Sequence, residues 1–258
     1  MKVTAAYFSP TGGTKKYTEA IAGSLDENFM TVDLTRAENR RKSFSFSPDD
    51  VVILGAPVYA GRLPIVEEGL FQNLKGQGTR AILVVTYGNR DFDDALLELK
   101  NLCIEKEFVP AAAGALLAEH TYTEKLAGGR PAAEDLAEAA SFGKKVKTLL
   151  EKDRLREPDV PGEIPYRKEA VRMAKHTKAM DRCTECGICA RLCPVEAIAE
   201  SAGMEADTEK CIGCLACVKG CPRGARLADD PAITAIRQKL EPAFGGVHKK
   251  NLYFLTEE

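Results

Sequence analysis

The sequence predicts an α/β fold: five parallel strands ordered 2-1-3-4-5 with helices on both faces, followed by a second, smaller cysteine-rich unit. Three observations carry this. Over the first 150 residues, short β-branched runs alternate with helix-like segments. The strand runs are almost continuously apolar, as strands covered on both faces must be. Eight of the nine cysteines crowd into residues 183–221, where the alternation has stopped.

Lys2–Ser9, Phe29–Leu34, Val51–Ala56, Ala81–Tyr87 and Phe108–Leu116 read as strands. Amphipathic stretches at Thr14–Leu25, Pro64–Leu74, Phe92–Lys106 and Ala132–Lys152 read as helices. Together these make residues 1–152 a first domain. Charge and proline then dominate (Lys152, Arg154, Arg156, Pro158, Pro161, Pro165), which gives a linker over 153–180 with a helix across Arg167–Lys178. The cysteine segment, 181–228, is the second domain. A tail, 229–258, is weakly amphipathic over Ala232–Leu240, and Asn251–Leu255 is expected to add a strand or pack on the sheet.

At 258 residues the chain exceeds the usual single-domain size of roughly 100–150, and 45% hydrophobic residues supply a core. A formal charge of −2 argues against a nucleic-acid partner. The longest apolar stretches, around Val51–Tyr59 and Val109–Ala118, fall short of the ~20 residues of a membrane helix. The run within Met1–Pro10 is too short for a signal segment. A soluble, cytoplasmic protein without membrane partners is expected.

Cys183-x₂-Cys186-x₂-Cys189-x₃-Cys193-Pro194 recurs 28 residues later as Cys211-x₂-Cys214-x₂-Cys217-x₃-Cys221-Pro222. Soft thiolates are the ligands that iron–sulfur clusters prefer. Three cysteines two residues apart let one loop wrap three irons of a cubane, and the fourth iron needs a more distant ligand. The alternative is zinc, which commonly uses two C-x₂-C pairs and has no use for a third step. Gly187, Gly213 and Ala216 are small enough for backbone amides to approach a cluster. Residues 181–226 resemble a bacterial bis-[4Fe–4S] ferredoxin. In that family the pre-proline cysteine of each repeat serves the other cluster. The resemblance therefore implies Cys183, Cys186, Cys189 and Cys221 on one cluster, and Cys211, Cys214, Cys217 and Cys193 on the other. Arg182, Arg191, Lys210, Lys219, Arg223 and Arg226 either moderate cluster charge or are solvated surface groups. Cys103, in an apolar helical stretch, reads as a buried core residue.

Ser9-Pro-Thr-Gly-Gly-Thr14 follows the first strand and opens into a helix, whose first amides have no intrahelical partners and suit a phosphate. It departs from the nucleotide-triphosphate loop pattern, since no Gly-Lys-Ser/Thr follows. Alone, it reads equally as a glycine turn with a threonine cap. Two further loops leave strands on the same edge: Gly55-Ala-Pro-Val-Tyr59-Ala-Gly61-Arg-Leu-Pro64 and Thr86-Tyr87-Gly88-Asn89-Arg90-Asp91-Phe92. The first loop resembles the S/T-x-T-G-x-T signature of flavodoxins, and the whole chain resembles flavodoxin–ferredoxin fusion proteins. That resemblance implies a flavodoxin-like sheet joined to a bacterial-ferredoxin-like α+β domain. It also implies an FMN phosphate on Ser9, Thr11, Gly12, Gly13 and Thr14. The ring is expected among Pro57, Val58, Tyr59 and Gly61 of one loop and Thr86, Tyr87, Gly88, Asn89 and Phe92 of the other.

Glu119-His120-Thr-Tyr122 follows the fifth strand on that edge; His120 is a structural histidine or a proton donor beside the flavin. The expected function is electron transfer among FMN, two [4Fe–4S] clusters and an external redox partner, either a protein or a small-molecule donor or acceptor. No catalytic residue is assigned. A flavin-dependent reductase fed by the clusters, and a ferredoxin with a flavin-free docking domain, are the alternatives. No G-x-G-x-x-G follows a strand, so direct nicotinamide oxidation lacks support.

Overall fold

Five apolar runs become one central sheet. The computed structural model describes residues 1–167, 169, 177–199, 205–228 and 230–258. Its first half contains β1 (Val3–Tyr7), α1 (Gly13–Leu25), β2 (Met30–Asp33), α2 (Ala37–Arg40), β3 (Phe44–Ser45), β4 (Val51–Pro57), β5 (Leu74–Lys75), β6 (Thr79–Tyr87), α3 (Ala95–Glu105) and β7 (Phe108–Leu117). Then come α4 (Ala133–Glu151), β8 (Leu155–Arg156), β9 (Lys178–Ala179), α5 (Ile188–Leu192), α6 (Ala216–Lys219), β10 (Arg226–Leu227), α7 (Pro231–Phe244), β11 (Leu252–Phe254) and β12 (Thr256–Glu257). The main sheet runs β11-β7-β6-β4-β1-β2. Its five long strands pair in parallel in the expected 2-1-3-4-5 order, and β11 from the tail adds antiparallel to β7.

Successive strand residues divide between two cores, as a period of two requires. Ile53 and Ile82 face α1 and α4 with Tyr17, Ile21 and Val146, whereas Leu54 and Leu83 face α3 with Leu96 and Leu99. The second core is completed from the cysteine unit by Ile212, Cys214 and Ala216. Cys103 lies in it at 1% exposure. Burial and the charge of Glu157 push its thiol up to about 12, so it is an unreactive core residue.

The helix expected over Pro64–Leu74 does not form. Gly69 adopts φ +72, outside helical space, and the segment runs as turns (Gly69 N–H to Val66 O, Leu74 N–H to Phe71 O) ending in β5. Val66, Leu70 and Leu74 are buried at helical spacing, so the periodicity reports core contact. Most of the helix expected across Arg167–Lys178 lies outside the described residues, and Lys178 itself belongs to β9. The start of the linker is strapped to the sheet unit. Asp94 accepts hydrogen bonds from the amides of Glu163 and Arg167, and Lys100 Nζ donates to Pro158 O.

The cysteine unit repeats its geometry as well as its motif. α5 and α6 begin 28 residues apart, and the Ile198–Ala206 bridge stands where β9 and β10 pair in the other repeat. It docks at the ligand edge of the sheet. Arg40, 2% exposed, donates to Pro194 O at 2.6 Å, and Lys219 meets Glu119 at 2.5 Å. The tail closes the junction: α7, capped by Asp230, buries Ile233 against Tyr122 and Leu215.

Candidate cofactor sites

A cavity of about 660 Å³ opens where β1, β4, β6 and β7 end. Ser9, Thr11, Gly13 and Thr14 line it from the first loop, Pro57, Val58, Tyr59 and Gly61 from the second, and Thr86, Tyr87 and Gly88 from the third. Three expected residues do not reach it. Gly12 lies behind the loop at φ +87, a conformation that glycine adopts at little cost. Phe92 packs on the Tyr87 ring at 5.4 Å. Asn89 turns away at φ +63, and its side chain donates to Phe244 O and Val247 O.

The loop geometry suits a phosphate. Ser9 Oγ accepts from Lys15 N–H at 2.9 Å, and Gly12 N–H bonds Ser9 O. The N–H groups of Thr11, Gly13 and Thr14 meet no acceptor among the described residues, leaving free donors at the positive end of a 13-residue helix. The Thr14 hydroxyl is committed elsewhere, to Thr86 Oγ1 at 2.7 Å. The second loop is pinned by Arg62, which forms a two-pronged pair with Glu98 at 2.8 and 2.9 Å. Gly61 at φ +89 lets that loop pass Asp93, whose Oδ2 would lie 2.1 Å from an added Cβ.

The fourth wall was only partly legible. Glu119, His120 and Tyr122 line the cavity, as do Ile236, Leu240 and Phe244 of α7. His120 Nδ1 accepts from Tyr122 N–H at 3.1 Å, so the neutral ring carries its proton on Nε2. Burial, with Lys219 and Arg90 nearby, depresses its pKa to about 4. Burial and Asp91 push the Tyr87 phenol up to about 12. The only sequence trace of the α7 wall was the amphipathic stretch from Ala232, which does not say what it covers. Gly213, between Cys211 and Cys214, also lines this cavity.

Two recesses lie in the cysteine unit. Cys183, Cys186, Cys189 and Cys221 line one, and Cys193, Cys211, Cys214 and Cys217 the other. Among the described residues no three His, Cys, Asp or Glu side chains converge on a point for a single metal ion; the thiols surround each recess instead. Backbone amides turn toward sulfur in matching pairs: Glu185 to Cys183 and Gly213 to Cys211 at 3.4 Å, Ala197 to Cys193 and Ala225 to Cys221 at 3.2 Å. Such N–H···S bonds stabilise the charge of a cluster. Cys186 is exposed, whereas Cys214 and Cys217 are buried.

A flavodoxin domain model matches residues 5–80, and a 4Fe-4S dicluster domain model matches residues 182–226. None of the curated proteins matches the chain. Among solved structures, a flavodoxin from the domain Archaea is 15% identical, covering 58% of this chain and 99% of its own, with a TM-score of 0.39. The Flv1 flavodiiron core from Synechocystis sp. PCC6803 is 16% identical at TM-score 0.41, and the match spans 59% of this chain but 36% of that one. Oxidised Flavodoxin 2 from Bacillus cereus is 19% identical, with 59% and 99% covered and a TM-score of 0.40. The flavodoxin domain implies FMN, the dicluster domain two [4Fe–4S] clusters, and the free amides and paired cysteine rings fit both. No helix among the described residues is long and apolar enough to cross a membrane. Residues 5–80 thus match a flavodoxin domain and residues 182–226 a 4Fe-4S dicluster domain, the order of a flavodoxin–ferredoxin fusion, and the two together support an electron-transfer role.

Proposed function

We propose that this chain passes electrons between FMN at the sheet edge and two [4Fe–4S] clusters, and through them exchanges electrons with an external redox partner. FMN supplies one- or two-electron chemistry and each cluster one-electron chemistry, so a single chain joins the two regimes. One observation carries the reading: Gly213, inside a cysteine loop, lines the same cavity as Ser9, Thr11, Gly13 and Thr14. A cluster-holding loop thereby forms a wall of the flavin cavity.

In this reading the amides of Thr11, Gly13 and Thr14 bind the phosphate, and Tyr59 and Tyr87 flank the ring. Tyr122, Leu215 and Ile233, packed together, keep water from the junction between the cofactors. Neutral His120 offers Nε2–H as a hydrogen-bond donor. Cys193, Cys211, Cys214 and Cys217 hold the flavin-side cluster, while Cys183, Cys186, Cys189 and Cys221 hold the outer one, with Cys186 exposed toward a partner. Oxygen-labile clusters on free thiolates suit a reducing cytoplasm.

Photoreduction of the FMN-loaded protein under argon tests the proposal. Cluster absorbance should bleach and a paramagnetic signal should rise as flavin reduction proceeds. Flavin that reduces fully and stays reduced while oxidised clusters remain untouched would rule out internal transfer.

A further inference from the structure

The internal repeat compares two cluster sites within one chain. A shift of 28 residues superposes the two motifs, so residues around one recess have counterparts around the other. Ligands match ligands, and the amides directed at sulfur match as well. The residues between the ligands do not. Thr184, Gly187, Arg223 and Arg226 line the outer recess. Their counterparts in the flavin-side recess are Ile212, Leu215, Val195 and Ile198. Two arginines border one recess, and aliphatic side chains stand at the same positions around the other.

Arg226 is the largest of these differences. It is 3% exposed, and its counterpart Ile198 is 6% exposed. Arg226 Nε donates to Thr177 Oγ1 at 3.0 Å and Nη2 to Thr177 O at 3.2 Å, which turns Nη1 toward Cys189 Sγ at 4.0 Å. The Thr177 hydroxyl lies 3.5 Å from Cys217 Sγ, a sulfur of the other set. A buried guanidinium thus stands at the boundary of the two sites and directs an N–H at the outer one.

We infer that Arg226, set against Ile198, makes two clusters with identical ligands unequal, the outer one being the more easily reduced. This rests on the proposed function above. Each cluster becomes more negative by one charge on taking an electron. A buried cation beside it stabilises the reduced state, and an apolar enclosure destabilises it. One electron leaves the flavin-side cluster, which is oxidised by one unit, and enters the outer cluster, which is reduced by one; no bond or proton moves. The gradient runs outward from the flavin, toward the exposed Cys186.

Potentiometric titration of the full chain, followed by paramagnetic resonance, tests this. Cys186→Ser and Cys214→Ser, each perturbing one cluster, assign the two signals. In the wild type the outer cluster should reduce first. Arg226→Met should shift the equilibrium between the two singly reduced states toward the flavin-side cluster on the order of tenfold, about 59 mV for one electron. Arg226→Lys keeps the charge and should keep most of the separation. Should Arg226→Met lose iron, Arg226→Gln, which retains hydrogen-bonding groups for Thr177, carries the same expectation. An unchanged separation in the charge-free variants, an equal fall of both potentials, or a flavin-side cluster that reduces first in the wild type would overturn the inference. Fewer than two clusters in the wild type, read from iron content before any titration, would instead sink the underlying function.

Discussion

The sheet unit and the cysteine unit reach order by different means. Strands of up to 10 residues in the sheet bury Ile53, Ile82 and Leu83 almost completely, as α3 does Leu96, and apolar burial at about 25 cal/mol per Å² holds such a unit together. Among the described residues, the regular elements of the cysteine unit are only helices of 5 and 4 residues and strands of two. Elements that short do not persist on backbone hydrogen bonds alone. Two rings of sulfur take the place of a large core, and in such units the free energy of metal binding is folding free energy. The first unit is specified by apolar area and the second by ligand positions.

Removing a ligand is the strongest way to break that comparison. Cys193→Ala should eliminate the cluster of Cys211, Cys214 and Cys217, with about half the iron lost and the cluster nearest in sequence retained. Chelation of all iron should erase hydrogen-exchange protection in the cysteine unit, while the sheet keeps its own protection and its FMN. A sheet that unfolds together with the chelated unit would mean that the two are one cooperative body.

The junction between the units is the next target. Arg40 donates to Leu34 O, Thr35 O and Pro194 O and pairs with Glu68 at 3.1 Å. Arg40→Ala strands these acceptors and should destabilise the protein by about 3–5 kcal/mol in thermal unfolding. A loss confined to the cysteine unit would show that Arg40 serves docking more than the sheet.

The same junction should be sensitive to pH through His120. Its folded pKa, about 4, lies below the ordinary value of 6.5, so between these values the unfolded chain holds a proton that the folded chain refuses. Stability should therefore be full above about pH 6.5 and fall as pH drops toward 4, by up to about 3 kcal/mol. His120→Gln should flatten that part of the stability profile, and an unchanged slope would place the titration elsewhere.

Thr11→Ala keeps the loop amide but removes a hydroxyl expected to bond the same phosphate, and should act on the sheet unit alone. Losing one hydrogen bond to a charged phosphate is worth roughly 1.5–3 kcal/mol, so FMN affinity should fall on the order of tenfold to a hundredfold. Riboflavin, which lacks the phosphate, should be nearly indifferent to the change. Equal weakening of both flavins, measured by fluorescence titration, would point to a disturbed fold.

Periodicity and spacing determined the five strands and their order, the glycine loop after β1 and the two repeated cysteine motifs, while resemblance to known families supplied the phosphate role and the division of the cysteines into two sets of four. These are local signals: apolar runs state where a chain must be covered, and a cysteine every third residue states a ligand loop. The same local logic failed at Pro64–Leu74, because residues four apart can face one core without a helix between them. Tertiary structure alone decided that Asn89 serves the tail, bonding Val247 across 158 positions, and that α7 and Gly213 wall the cavity at the sheet edge. It alone separated Arg226 from the other basic residues of the unit by burying it. Burial and orientation depend on which distant segments meet, and no periodicity within a single segment encodes that meeting.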